Sequence, residues 1–155
     1  MKSLYLIRHA KSSWKDPKLL DHERPLNKRG KRDAPMMADK MAEIYTAPEI
    51  LLTSGAKRAV STGNHFVQAW NIDQNHNCIQ KELYLCYVSE LEKIILNQFD
   101  KYNSIAIVAH NPSLEYFLQV NCDFKRDKFP TCGFAKINYN KGNWELDAFH
   151  YPKLY

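Results

Sequence analysis

The chain has 155 residues and a mass of 18.1 kDa, and 45% of its residues are hydrophobic, so residues 1–155 are expected to form one domain with a substantial core. No apolar run approaches the ~20 residues of a transmembrane helix, and the run after Lys2 is too short for a signal peptide, which predicts a cytoplasmic protein with no membrane partner. The net charge of +5 and the isoelectric point of about 9.0 favour anionic ligands.

Much of the excess positive charge lies in one cluster at the start of a predicted helix, formed by Arg24, Lys28, Arg29, Lys31 and Arg32. A cluster of this kind is typical either of a solvated helix face or of a nucleic-acid-binding surface. We favour the helix face, because no aromatic residues that could stack on bases are interleaved with the charges. No nucleic-acid partner is therefore expected.

The spacing of cysteines and histidines gives no support for a metal site. The four cysteines include no Cys-x-x-Cys pair, and the six histidines include no His-x-His or His-Glu-x-x-His pattern. We therefore expect neither a metal ion nor an organic cofactor.

The N-terminal part of the chain predicts a strand, a loop and a long helix. Residues 3–7 contain the apolar run Leu4-Tyr5-Leu6-Ile7 and predict a strand, and residues 10–26 are largely polar and predict a loop. A helix is expected to start at Asn27, a favourable N-cap, and to continue to about Tyr45. Pro35 is expected either to kink this helix or to delay its start. A core-facing stripe is predicted for Met37, Met41 and Ile44.

The rest of the chain alternates strands and helices before ending in a hairpin. In order, the patterns predict a strand at 50–53, a helix at 57–70, a short strand at 78–80, a helix capped by Ser89, a strand at 104–109, a helix that opens at Pro112, and a β-hairpin of 134–139 with 144–149. This order predicts an α/β fold, a three-layer α/β/α sandwich with a mostly parallel sheet and an antiparallel edge.

Three of the predicted parallel strands are followed by side chains that bind anions. Arg8-His9 ends the first strand, Arg58 follows the second, and His110 comes directly after the strand at 104–109. Ligands of open α/β sheets bind beyond the carboxyl ends of the strands. A single arginine or histidine at a strand end is usually inert, but three such ends with matching chemistry predict one shared anion pocket.

This set of residues suits the transfer of a phosphoryl group. Catalysis of that reaction consists mainly of positioning and electrostatic stabilisation, and arginine binds phosphate oxygens in a bidentate manner. A neutral imidazole can attack phosphorus and form a covalent phosphohistidine. The predicted helix after His110 would add free backbone N–H groups, including that of Asn111.

Four segments of the sequence resemble the histidine phosphatase superfamily, and within it the small SixA-type phosphohistidine phosphatases. The segments are residues 6–14, which begin Leu6-Ile7-Arg8-His9-Ala10, residues 21–30, which begin Asp21-His22-Glu23-Arg24-Pro25-Leu26, residues 53–62, which contain Arg58, and residues 108–113, which read Val108-Ala109-His110-Asn111-Pro112-Ser113. They occur in the order of the family, and Ala109 replaces a glycine that is usual before the second histidine. The resemblance implies a phosphoglycerate mutase-like fold, with motif spacing that leaves room for only a minimal lid.

The resemblance also implies roles for individual residues. His9 would be the nucleophile, and Arg8, Arg58 and His110 would bind the phosphoryl group and stabilise its transition state. Larger relatives carry a carboxyl group as proton donor, for which Glu82 is the first candidate here and Asp21 the second. The sequence does not assign a role to Lys11 or Lys15.

The expected activity is hydrolysis of a phosphoryl group through a covalent intermediate on His9, with protein phosphohistidine as the favoured substrate. An open pocket with basic surroundings would admit a phosphorylated side chain of another protein. The alternatives are a phosphatase for small metabolites and a non-catalytic module that binds phosphate or phosphoprotein. The nucleophile argues against the module, because binding alone does not require His9.

Overall fold

A computed structural model describes all 155 residues and contains one mixed sheet of six strands. The strands are β1 (Lys2–Arg8), β2 (Ile50–Thr53), β3 (Asn77–Ile79), β4 (Ser104–Ala109), β5 (Phe134–Asn140) and β6 (Asn143–His150). Their order across the sheet is β3-β2-β4-β1-β5-β6. Strands β1 to β4 pair in parallel, whereas β5 and β6 form an antiparallel edge.

Four helices cover the two faces of this sheet. They are α1 (Lys28–Ile44), α2 (Lys57–Trp70), α3 (Val88–Phe99) and α4 (Ser113–Asn121). Helices α1 and α2 pack on one face and α3 and α4 on the other, so each face has its own hydrophobic core. The α/β/α sandwich predicted from the sequence is therefore confirmed. None of the helices combines the length and the apolar character needed to span a bilayer.

Strand β1 shows why the central strands are apolar on both sides. Leu4 and Leu6 point into the core beneath α3 and α4, while Tyr5 and Ile7 point into the core beneath α1 and α2. All four are almost fully buried. Alternate residues of a strand face opposite sides of the sheet, so a strand covered on both sides needs a continuous apolar run.

Helix α1 begins where the sequence predicts and runs through Pro35 without interruption. The Asn27 side chain accepts a hydrogen bond from the Gly30 N–H at 2.9 Å, so Asn27 is the N-cap. The expected delay at Pro35 is wrong, because the helix starts seven residues before it. Met37 and Met41 are fully buried, as expected, but Ile44 is 51% exposed because it ends the helix beyond the edge of the core.

Three other boundaries differ slightly from the predictions. Strand β3 lies one residue earlier than residues 78–80, and α4 starts at Ser113, with Pro112 as the residue before it. Ser89 does not cap α3, because the helix begins at Val88 and Ser89 already lies within its first turn.

The C-terminal hairpin forms as predicted and completes the sheet. Its two-residue loop consists of Lys141 and Gly142, whose φ angles are 48° and 91°. Positive φ at both positions is the geometry of a type I′ turn, which matches the twist of paired strands.

The strand registers bring three carboxyl ends to the same edge of the sheet. Arg8 of β1 pairs with Ala109 of β4, and Thr53 of β2 pairs with Val108 of β4. The segments after β1, β2 and β4 therefore begin side by side, at the edge where parallel α/β sheets bind their ligands.

Candidate active site

Two histidine rings from neighbouring strand ends face each other in this site. His9 follows β1 and His110 follows β4, and their ring centroids are 5.1 Å apart. The backbone N–H of His9 donates to the carbonyl of Ala109 at 3.1 Å, which continues the strand pairing by one residue and fixes the distance between the rings. Both residues are buried.

The His9 imidazole is held in one tautomer with one nitrogen available. Its Nδ1 lies 2.7 Å from the carbonyl oxygen of Ala10. Because a carbonyl can only accept a hydrogen bond, Nδ1 carries the proton and Nε2 keeps its lone pair. Burial, and then the positive charges of Arg58, Arg8 and Arg24, lower the pKa of His9 from 6.5 to about 4. The ring is therefore neutral at pH 7.

His110 is also neutral and is anchored by a serine. Its Nε2 lies 2.7 Å from Oγ of Ser54, which follows β2. Burial, followed by the proximity of His9, Arg58 and Arg8, lowers the pKa of His110 from 6.5 to about 3. The Nδ1 atom of His110 is buried and has no hydrogen-bond partner in the chain. Such an atom is rare in protein interiors and indicates a position where a bound group completes the network.

Three guanidinium groups surround the histidines and are only partly paired. Arg8 donates from Nη1 to the carbonyl of Phe129 at 3.0 Å. Arg58 donates to the backbone carbonyl of Asp21 at 2.6 Å and to its carboxylate at 2.9 Å. Arg24 donates to the hydroxyl of Ser12. The Nε atoms of Arg8 and Arg58 and Nη1 of Arg24 are buried without an acceptor, whereas Nε of Arg24 lies 3.5 Å from an Asp21 carboxylate oxygen. Unpaired cationic donors beside neutral imidazoles favour binding of a compact anion.

Asp21 is held in its ionised form by Tyr84, Arg58 and Arg24. Tyr84 donates its hydroxyl hydrogen bond to the Asp21 carboxylate, and Arg58 pairs with the same oxygen. The hydrogen bond from Tyr84, followed by the effects of Arg58 and Arg24, lowers the pKa of Asp21 below its usual value. Asp21 therefore orients Arg58 at neutral pH and carries no proton to donate.

Glu82 lies outside this network. Its side chain is exposed, and its carboxylate accepts a hydrogen bond from the Gln80 amide at 2.5 Å. It makes no hydrogen bond or salt bridge to either histidine or to the arginines. Of the two carboxyl groups considered as proton donors, the structure thus brings only Asp21 into contact with an arginine of the site.

Asn111 and the two lysines occupy the periphery. The Asn111 side-chain amide donates to the carbonyl of Phe129 at 3.0 Å, the same oxygen that Arg8 contacts. Its backbone N–H makes no hydrogen bond within the chain. Lys11 is partly buried beside Arg8, whereas Lys15 is exposed on the loop.

Two residues of the network were not singled out from the sequence. Arg24 was assigned to a solvated face, but it is 6% exposed and its guanidinium lies 3.4 Å from the centre of the Trp14 ring. The sequence feature that could have placed Arg24 in the site is its position in the Asp21-to-Leu26 segment, which resembles the histidine phosphatase superfamily. Tyr84, whose ring meets that of His110 edge-on at 5.5 Å, is one of several aromatics that could line the pocket mouth, and the sequence does not assign it to the site.

A family model identifies the superfamily to which the chain belongs. The model described as histidine phosphatase superfamily (branch 1) matches residues 4–83, which is just over half of the chain. The match begins in β1 and ends at Leu83, and it includes Arg8, His9 and Arg58.

The curated relatives are uncharacterised proteins. An uncharacterised chloroplastic protein of Arabidopsis thaliana is 44% identical over 59 residues, which is 38% of this chain and only 27% of that protein. The match thus spans about a quarter of that relative's length. An uncharacterised protein of Mycobacterium leprae is 30% identical over 167 residues, with coverage of 95% of this chain and 100% of the relative.

Solved structures share the fold across nearly the whole chain. A candidate phosphohistidine phosphatase SixA from Agrobacterium tumefaciens superposes with a TM-score of 0.88 and 29% identity, over 97% of this chain and 98% of its own. The protein histidine phosphatase SixA complexed with tungstate gives 0.86 at 20% identity, with 98% of both chains covered. A phosphoglycerate mutase from Bacillus anthracis gives 0.77 at 12% identity, over 95% of this chain and 92% of its own. The last two similarities concern the fold alone.

Proposed function

Because the chain belongs to the histidine phosphatase superfamily, we propose that it is a phosphatase that forms a covalent phosphohistidine on His9 and acts on phosphohistidine in other proteins. One observation carries the proposal. The neutral, buried His9 ring presents Nε2 beside guanidinium donors that have no acceptor in the chain. A nucleophile and an anion clamp thus occur together.

The geometry supports a two-step displacement. In the first step the Nε2 lone pair of His9 attacks phosphorus, the bond to the leaving group breaks, and the phosphoryl group becomes attached to Nε2. In the second step water attacks phosphorus and the P–N bond breaks with its electron pair returning to Nε2. One water proton stays on the phosphate product and the other is released to solvent. The hydrogen bond from Nδ1 to Ala10 holds the ring in position through both steps.

Arginines would stabilise the charge on the transferring group. Arg8 and Arg58 bind its equatorial oxygens, with His110 and the Asn111 backbone N–H as further donors, and the unpaired Nη1 of Arg24 adds a third guanidinium. With this positive charge supplied by the chain itself, we propose that the reaction needs no metal ion.

The state of the carboxyl groups favours phosphohistidine over an alkyl phosphate. Asp21 is ionised and Glu82 is exposed, so neither places a proton beside His9. An imidazole leaving group needs little help from an acid, whereas an alkoxide benefits strongly from protonation. The structural similarity to SixA proteins, which are named as histidine phosphatases, agrees with this choice.

The proposal is tested by measuring phosphate release in the presence of EDTA. The substrates are a histidine-phosphorylated protein, para-nitrophenyl phosphate and a sugar phosphate, and the enzymes are the wild type, His9→Ala and the control His76→Ala, which alters an exposed histidine remote from the site. We expect wild type and control to hydrolyse phosphohistidine fastest. We expect His9→Ala to lose at least ~10⁴-fold in kcat, the scale of losing a nucleophile.

Each contrary result has a distinct meaning. Turnover of the two small esters alone would retain the mechanism and replace the protein substrate with a metabolite. Phosphate binding without turnover of any substrate would show a binding module. Full activity of His9→Ala would refute the covalent mechanism.

A further inference from the structure

A concavity with a strongly basic lining adjoins the candidate active site. This basic groove has a volume of about 790 Å³ and runs between the start of α1, the loop that precedes β5, and the C-terminal segment. Arg29 and Arg32 line it from α1, Arg126 and Lys128 from the loop, and Lys153 from the C-terminal segment. Asp33 is the only acidic side chain in its lining.

Most of this positive charge is unneutralised within the chain. Asp33 is buried, with a side chain 6% exposed, and it is already shared by Arg29 and Arg32. Arg126, Lys128 and Lys153 form no salt bridge. The groove therefore carries a net positive field toward solvent, which attracts an anionic partner.

The groove is continuous with the candidate active site through Arg8. Arg8 lines the groove and also donates to the carbonyl of Phe129, which lies between Lys128 and Pro130 of the loop. Lys11, two residues after His9, lines the same end of the groove. A chain that placed a phosphorylated side chain beside His9 would therefore extend directly over these cations.

The exposure of the cations indicates what kind of anion fits. The side chains of Arg29 and Arg32 are 51% and 72% exposed, whereas that of Arg58 in the active site is 4% exposed. Exposed ion pairs each contribute little to the binding free energy, so tight capture of a small polyanion is not expected here. Many weak contacts spread over a long groove suit a row of carboxylates on a protein surface, where they raise the association rate and set orientation.

We propose that the basic groove binds aspartate and glutamate side chains that flank the phosphohistidine of the substrate protein. This inference rests on the proposed function and adds the feature of the substrate that the enzyme would recognise outside the phosphoryl group. The groove would select acidic phosphoproteins, while the catalytic residues would remain indifferent to the flanking sequence.

The test exchanges charge on both partners. Two synthetic peptides carry one phosphohistidine, flanked by glutamates in one and by glutamines in the other. The groove variant is Arg126→Gln/Lys128→Gln/Lys153→Gln, and the control variant, Lys93→Gln/Lys101→Gln/Lys141→Gln, removes the same charge from exposed lysines that do not line the groove. None of the six residues belongs to the catalytic set.

At low ionic strength we expect the wild type and the control variant to show kcat/KM about tenfold higher for the glutamate peptide. The groove variant should lose most of this preference, and its hydrolysis of para-nitrophenyl phosphate and its Tm should stay at the control level. The preference of the wild type should also shrink at high salt, where exposed charges are screened.

Four outcomes would overturn the inference. The first is a wild type with no preference between the two peptides. The second is an equal loss of the preference for the glutamate peptide in the groove variant and the control variant. The third is a groove variant whose hydrolysis of para-nitrophenyl phosphate falls together with its peptide preference. Strong competition by a short single-stranded oligonucleotide or by tripolyphosphate, with no advantage for glutamate, would assign the groove to another anion. A wild type that hydrolyses neither peptide would instead refute the proposed function itself.

Discussion

The protonation of His9 links its position in the fold to its proposed chemistry. A solvent-exposed imidazole would be partly protonated near pH 6.5, and a protonated ring has no lone pair for attack. Burial and three nearby guanidiniums shift that equilibrium toward the neutral ring. The same cations that would bind phosphate therefore also keep the nucleophile ready to react.

We expect the His9 ring to titrate near pH 4 in the free protein, well below the usual 6.5. NMR chemical shifts of the imidazole nitrogens, assigned with His9→Asn, would report this directly. Binding of tungstate or phosphate should raise the pKa, because the anion offsets the charge of the arginines. Titration near 6.5 without ligand would contradict the described environment.

The sequence predicts part of the residue-scale arrangement. The strand ends and motif order pointed to Arg8, His9, Arg58 and His110, and the structure places these four together. Contacts made through loops were harder to anticipate. Tyr84 reaches Asp21 across 63 positions of sequence, and no local pattern encodes a contact of that range.

At the scale of elements, the start of α1 supports the loop that follows His9. The backbone N–H of Asn27 donates to the carbonyl of Lys11 at 2.9 Å, and Gly30 packs against the same carbonyl. A Cβ at position 30 would lie 2.2 Å from that oxygen. Glycine is needed here for close approach of two backbone segments, although it is a poor helix former.

Gly30→Ala should therefore destabilise the protein by about 2 kcal/mol, despite alanine's higher helix propensity, because either α1 or the Lys11 segment must move. Turnover should fall as well, since Lys11 lies next to Ala10, whose carbonyl orients His9. Urea unfolding and para-nitrophenyl phosphate hydrolysis measure the two effects. Lys31→Ala at the exposed neighbouring position should change neither, and a stabilised Gly30→Ala would show that propensity outweighs the contact.

Helices and turns that are specified by residues adjacent in sequence were predicted correctly, whereas some helix ends were not. The Asn27 cap and the Lys141-Gly142 turn carry their own local geometry, so the start of α1 and the hairpin were correctly located. Ser89 resembles a cap in sequence, but α3 begins one residue earlier, at Val88. Helix termini depend on tertiary packing that a local window does not contain.

At the scale of the whole molecule, the fold buries two neutral histidines at the edge of its sheet. An unfolded chain would bind protons on both rings near pH 6.5, whereas the folded chain binds them only near pH 4 and pH 3. Between these values the unfolded state holds more protons. Stability must therefore fall as the pH decreases through this window, and it is fully present only above pH 6.5.

We accordingly expect the free energy of unfolding to fall by roughly 4 kcal/mol between pH 7 and pH 5 because of His9 and His110, a value that follows from about 1.4 kcal/mol per pKa unit. Urea unfolding at half-unit pH intervals would measure it. The double variant His9→Gln/His110→Gln should lose most of this slope and keep a shallow remainder from His150, whose pKa burial also lowers. An unchanged slope in the double variant would mean that these two rings are not neutral in the folded protein, and the proposed nucleophile would lose its main physical support.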